Sequence, residues 1–355
     1  MQTRVLHIFD KPLTKPSNMF LGSTKDVRGR TEYFKARKIP VDEYWVRERS
    51  DKLLMENIED IQFGKYTHIF FEYSRYPQSM MYIRKYFPSC RLYIRVHNAE
   101  FYHRLHQILS RGIVSFSRSF VNILKENIRS LEEGFLRLKD DIICARNSDK
   151  ILSISEWDSQ EYWQFLGAKK IVYLPYFLPK SYERFIPRNR KKKRRCICYM
   201  STSPNEFIKD SARFFIKLVE KLGSKKYDWT FSMTGSNVFR KTLPKRVKLS
   251  GVVERPFDLL GEARAIAIFS DFGTGFKTKI IEAIACKCYI LVTKRLYERL
   301  PSILQPYCFV VDIHSVDSFK EALDKTRKPF PPGNPNKIYR KGAFAALDRL
   351  FKGIT

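Results

Sequence analysis

The chain has no apolar run of about 18 residues, so it predicts no membrane-spanning helix. Its opening, MQTRVLHIFD, runs directly into a strand-like segment and lacks the charged-then-apolar plan of a cleaved leader. Cysteines number seven, which is odd, and the pairs Cys196/Cys198 and Cys286/Cys288 have a Cys-x-Cys spacing in or beside apolar runs. That argues against a disulfide framework or a zinc site and for buried thiols in a reducing cytoplasm. Two common nucleotide motifs are missing. Lys277 follows Gly275 by two, which is not phosphate-loop spacing, and Asp271-Phe272-Gly273 has no HRD-type loop before it. Acidic residues are scarce: 37 against 66 lysines and arginines, a formal charge of +29. An excess of this size predicts an anionic partner, whether nucleic acid, an acidic bilayer or an acidic polymer.

What is present reads as globular. The chain is 355 residues long, 44% hydrophobic and 29% charged, enough for two domains with their own cores. Buried strands are predicted at Val5–Phe9, 42–46, 68–71 (HIFF) and 92–96, with helices at 24–38 and 78–86 between them. This alternation predicts an open parallel sheet covered by helices on both faces. Residues 116–145 carry Phe120, Ile123, Leu124, Ile128, Leu131, Phe135 and Leu138 at helical spacing. Such a stripe is read as core first, with a membrane-facing helix as the alternative. RNRKKKRR, 188–195, has seven basic residues in eight and is read as an exposed interdomain linker. A second alternation follows from Cys196, and 337–351 is predicted to be a final helix.

The most informative stretch is Ile266–Val292, IAIFSDFGTGFKTKIIEAIACKCYILV. Its apolar start predicts a strand, Gly273 and Gly275 predict a tight turn around Thr274, and Ile280, Ile281 and Ile284 share a helical face. Strand, glycine turn, helix and strand make one βαβ unit. Its turn presents helix N–H groups beside Lys277 and Lys279, which suits a phosphate or diphosphate. Glu282, as a carboxylate nearby, suits the hydroxyls of a ribose. If the helix begins at Lys277, residues two apart differ by about 200°, so only one lysine can face the ligand.

GTGFKTKIIEAIACKCYILVT resembles the donor-nucleotide segment of GT-B glycosyltransferases, particularly the retaining family 4. Glu282-Ala283 matches that family's Glu-Ala, whereas its first glutamate, eight residues earlier, is here Thr274. Arg95–His106 ends a strand with His97, Asn98 and Glu100, similar to the family's His-Asn-x-Glu segment. The turn containing Ser201 and Thr202, and the strand leading to Gly235, resemble the parts that meet the phosphates and the base.

The resemblance implies an α/β GT-B architecture, two Rossmann-like domains facing across a cleft. The boundaries expected are 1–187 for the acceptor domain, 188–195 for the linker, 196–334 for the donor domain and 335–355 for a C-terminal helix returning towards the first domain. It implies transfer of a sugar from a nucleotide diphosphate sugar, of UDP type, to an acceptor hydroxyl with retention. His97 and Lys277 are the expected catalytic residues. The donor would meet Ser201, Thr202, Gly235, Gly273, Thr274, Gly275, Phe276, Lys277, Lys279 and Glu282. No Asp-x-Asp is present, so a metal-independent site with no cofactor is expected. The acceptor expected is a lipid-linked or cell-surface glycan at an anionic cytoplasmic membrane face. A DNA base is the alternative acceptor, and an inactive GT-B-shaped binding protein is the non-enzymatic alternative.

Overall fold

A computed structural model of the protein describes residues 2–10, 18–114, 120–167, 170–187, 191–198, 206–222, 228–235 and 243–351. Within them lie two six-stranded sheets whose registered neighbours are all parallel. The first contains β1 (Val5–Phe9), β2 (Val41–Trp45), β3 (His68–Glu72), β4 (Arg91–Val96), β5 (Lys150–Ser153) and β6 (Ile171–Tyr173), ordered β2-β1-β3-β4-β5-β6. The second contains β7 (Lys193–Cys198), β8 (Thr230–Thr234), β9 (Val247–Gly251), β10 (Ala263–Ile268), β11 (Tyr289–Val292) and β12 (Cys308–Val310), ordered β12-β11-β10-β7-β8-β9.

Position in the sheet explains composition. β1 and β3 have neighbours on both edges and helices on both faces, and every residue of each is buried. β2 is an edge strand and buries only part of its length, leaving Trp45 exposed. Strand order reverses between β1 and β3 in one sheet and between β10 and β7 in the other. In open α/β sheets ligands collect beyond the carboxyl ends of the strands at such reversals.

One hydrophobic cluster is specific to the first unit and another to the second, while a third runs through both. The helix Pro335–Phe351 helps to carry that third cluster across. Its Asp348 accepts two bonds from Arg37, both 2.7 Å, and one from Tyr33 at 3.0 Å. Phe351 stacks on Phe70 of β3, centroids 6.1 Å apart. All seven cysteines are buried and unpaired.

Two expectations are corrected. The basic run is not all linker: Lys193, Arg194 and Arg195 form the first half of β7, whose register with β10 and β8 uses Lys193 and Arg195. Nor does most of the described part of the 116–145 stripe lie in the core, although Leu138 packs against it. From residue 120 the segment belongs to the helix Phe120–Asn147, which packs on the helix Glu100–Val114, and Leu124, Ile128, Leu131 and Phe135 are 49, 49, 37 and 59% exposed. The longer helix turns inward Ser130, Gly134, Asp141, Cys144 and Ala145 instead. Gly134 explains the choice, because a Cβ there would lie 3.3 Å from Arg104 Cβ and 3.4 Å from the Phe101 ring. Close helix approach selected the small face.

Candidate active site

The glycine turn follows β10, at the reversal in the second sheet. Gly273 and Gly275 take φ of 92° and 77°, which side chains with a Cβ rarely adopt. The first unit fills the space above them: a Cβ on Gly275 would sit 2.2 Å from the His97 carbonyl oxygen. Thr274 is buried, its hydroxyl within 3.2 Å of both Ala99 N and Ala99 O. Gly273 N–H donates to His106 Nδ1 at 3.1 Å, and Gly275 N–H donates to Asp158 Oδ2 at 2.7 Å. Arg299 Nη1 donates to Gly273 O at 3.0 Å while its guanidinium lies 4.1 Å over the Trp157 ring. The carboxyl ends of β4 and β5 therefore face the carboxyl end of β10 directly.

Burial and charge set the ionisation of this region. Burial lowers His106 to about 4, and Arg299 and Arg295 add to that. A neutral ring suits its role as acceptor from Gly273. Burial likewise lowers His103 to about 4, against the pull of Glu100. Asp158 is raised to about 7, chiefly by burial, with the Gly275 N–H, Lys277 and Arg299 opposing.

Lys277 and Lys279 are both half-buried. The helix is Lys279–Ala285, with Thr278 as its N-cap, so Lys277 belongs to the preceding turn. The expectation that one lysine must point away rested on a helix beginning at Lys277, and it does not apply. Lys277 is lowered by burial and by Arg299, with Asp158 opposing. Lys279 is lowered to about 8, mainly by burial, with Glu282 opposing and Lys25 and Lys277 contributing repulsion. Phe276 is half-buried, its ring 6.1 Å from that of Tyr176.

Glu282 does not face open solvent. Its Oε1 accepts from Lys25 Nζ at 2.5 Å, and each side chain is 1% exposed. Lys25 comes from the helix Gly22–Ala36 of the first unit.

His97 stands at the end of β4 and stacks on Tyr73, centroids 4.3 Å apart. Its Nε2 lies 3.1 Å from Glu72 Oε2 and 3.6 Å from Asp26 Oδ2. Beneath it is a buried charge network. Arg95 makes two bonds to Asp26 at 2.9 and 2.8 Å, Arg30 bonds both Asp26 and Glu72, and His7 Nε2 lies 2.6 Å from Glu72. Asp26, Glu72 and His97 offer ligand atoms within 4.8 Å of one another, a spacing that could hold a metal. Two guanidinium groups already take those carboxylates, so the cluster is a salt-bridge network.

Gly235 directly follows β8, buried, with φ 99° and its N–H donating to Gly251 O at 2.7 Å. Ser201 and Thr202 lie outside the described residues. Sequence reading missed Lys25, Asp26, Glu72, Asp158 and Arg299. Some signals were available. Glu72 is an acid closing the apolar run HIFF, and Asp26 and Arg30 stand one helical turn apart beside buried Val27 and Phe34. Asp158 hides inside Ser155-x-x-Asp158, which reads as an ordinary capping box.

Residues 194–327 match the family model described as Glycosyl transferases group 1. No curated protein matches the chain in sequence. Among solved structures, sucrose-phosphate synthase from Thermosynechococcus elongatus superposes with a TM-score of 0.62 at 12% identity, covering 99% of this chain and 96% of its own. Anabaena Alr3699/HepE, in complex with UDP and glucose, gives 0.58 at 12% identity, covering 98% and 95%. The fold is GT-B. In a GT-B frame the glycine turn, the two lysines and Glu282 belong to the second Rossmann-like unit, and His97 and Asp158 face them from the first. The family match covers the second unit and includes the whole turn.

Proposed function

We propose that the protein is a GT-B glycosyltransferase, moving a sugar from a UDP-type nucleotide diphosphate sugar to an acceptor hydroxyl. The observation carrying this reading is the turn Gly273–Gly275. It sits at the strand reversal of the second sheet, opens a helix, and gathers Lys277, Lys279 and Arg299 at the interface with the first unit. The family match over 194–327 and the UDP-glucose bound by Anabaena Alr3699/HepE support the choice of ligand.

In this reading Lys277, Lys279 and the N–H groups that begin the helix stabilise charge building on the leaving diphosphate. Glu282 receives the ribose hydroxyls, in competition with Lys25. Ser201, Thr202 and Gly235 complete the nucleotide side, and Phe276 packs beneath it. His97 contacts the donor from across the cleft, its ring held by Glu72 and Tyr73. The reaction needs neither a metal nor a cofactor and retains configuration, as the family resemblance implies. Calorimetric titration with UDP and UDP-glucose, followed by donor hydrolysis across a panel of sugar nucleotides, tests it. Binding without hydrolysis or transfer would favour a GT-B-shaped binding protein.

The acceptor in this reading is a lipid-linked or cell-surface glycan, reached at the anionic cytoplasmic face of a membrane. The exposed ridge Leu124, Ile128, Leu131 and Phe135 supports a membrane surface, as does the charge of +29. Among the described residues no helix is long and apolar enough to cross a membrane, so the contact would be peripheral. A DNA-base acceptor suits the charge but leaves the apolar ridge without a role.

A further inference from the structure

The family pattern has a glutamate where this chain has Thr274, and the structure shows that Thr274 cannot replace it. Its side chain is buried and its hydroxyl is committed to the backbone of Ala99. A carboxylate nevertheless reaches the turn from the other unit. Asp158 Oδ2 accepts the Gly275 N–H at 2.7 Å, while Oδ1 is buried and has no hydrogen-bond partner among the described residues.

Asp158 is not held there by its own helix. Ser155 caps that helix through its side chain, accepting the Asp158 N–H at 3.2 Å, and the Asp158 carboxylate points across the interface instead. The residue is 1% exposed. Buried carboxylate oxygens normally find a donor, so an unpartnered one at a ligand site calls for an explanation. Lys277 and Arg299 act on this carboxylate electrostatically, but neither supplies a hydrogen bond to Oδ1. A sugar hydroxyl fits this place, because it can donate to Oδ1 when the group is ionised and accept from it when the group carries a proton. A phosphate cannot fill the place, because it brings negative charge to a carboxylate.

We propose that Asp158 is the carboxylate that binds the transferred sugar, its Oδ1 accepting a hydroxyl of the donor's sugar ring while Oδ2 stays on Gly275. The inference rests on the nucleotide-sugar reading above. Two elements then divide the donor between them. Lys277, Lys279 and the helix N–H groups take the diphosphate, and Asp158 takes the sugar. The carboxylate at the turn thus comes from the opposite unit, so the proposed sugar contact exists only when the two units meet. A hydrogen bond from a sugar hydroxyl to a buried carboxyl oxygen is directional, which makes Asp158 a determinant of which sugar is used.

The test is Asp158→Asn, which keeps an oxygen for the Gly275 N–H and removes the charge. UDP is titrated calorimetrically into both proteins. So is whichever of UDP-glucose, UDP-galactose and UDP-N-acetylglucosamine the wild type binds tightest. We expect UDP affinity to stay within about twofold, while the UDP-sugar weakens roughly tenfold or more and its turnover falls. Unchanged UDP affinity also reports an intact fold. If Asp158→Asn melts early, Asp158→Ser carries the same comparison. Equal binding and turnover of the UDP-sugar by both proteins would overturn the assignment. Tighter UDP binding by the variant would overturn it too, showing a carboxylate that competes with phosphate for the turn. A wild type that binds UDP but none of the three sugars more tightly than UDP removes the sugar contact and leaves the nucleotide reading standing. A wild type that binds neither overturns both.

Discussion

Lys25 and Glu282, 257 residues apart in the chain, form a 2.5 Å ion pair buried between the two Rossmann-like units. The carboxylate assigned to a ribose is thus held by a lysine of the opposite unit. Removing one partner of a buried pair leaves the other charge uncompensated, which costs about 3–5 kcal/mol.

Glu282→Gln should therefore lower both stability and nucleotide affinity, and the two effects can be separated. Adding Lys25→Met to Glu282→Gln should recover much of the melting temperature without recovering UDP affinity. The loss of affinity expected for one charge-assisted hydrogen bond is roughly tenfold to a hundredfold. If UDP binding returns together with stability, Glu282 holds the units together and does not bind ribose.

Lys279 gives a pH prediction with a definite sign. Burial lowers it from 10.5 to about 8, so the folded protein releases this proton before the unfolded chain does. Its contribution to stability therefore rises between pH about 8 and 10.5, where the unfolded state binds more protons. Activity should move the opposite way, because only the charged lysine neutralises a diphosphate. Donor kcat/KM should fall as pH rises through about 8, and Lys279→Arg should remove that limb. A profile identical in both proteins would place the titrating group elsewhere.

Lys277→Ala and Lys279→Ala should both reduce turnover, since both lysines stand at the interface between the units. Lys277, beside Asp158 and Arg299, should affect turnover more than affinity for UMP, because its charge matters most as the diphosphate leaves. Steady-state kinetics beside UMP titration measures the split. A loss in UMP affinity as large as the loss in turnover would make it a ground-state contact.

Residues of the outward ridge should be expendable for folding and needed for binding. Ile128→Ser and Phe135→Ser should change stability by no more than about 0.5 kcal/mol each, whereas core positions would lose about 2–5. Co-sedimentation with anionic liposomes should fall in the double variant, and neutral liposomes should bind poorly from the start. If anionic liposomes leave the wild type in solution while duplex DNA is held at physiological salt, the DNA-acceptor reading takes over.

The chain alone determined the elements that answer to local rules. A strand covered on both faces is largely apolar, which made the Ile69–Phe71 run of β3 and all of β11 legible, and a turn at φ of 92° and 77° favours glycine, which marked Gly273 and Gly275. Local pattern also delivered Lys277, Lys279 and Glu282, because they share a few residues with that turn. It failed where the outcome depended on what faces what. Periodicity says which residues of Phe120–Asn147 share a face, not which face turns inward, and packing around Gly134 chose the small one. Asp158 and Gly275 are 117 residues apart, and Lys25 and Glu282 are 257 apart. No spacing rule connects such pairs. They meet because two parallel sheets present their carboxyl ends to one another, and that geometry exists only once both units are folded and docked.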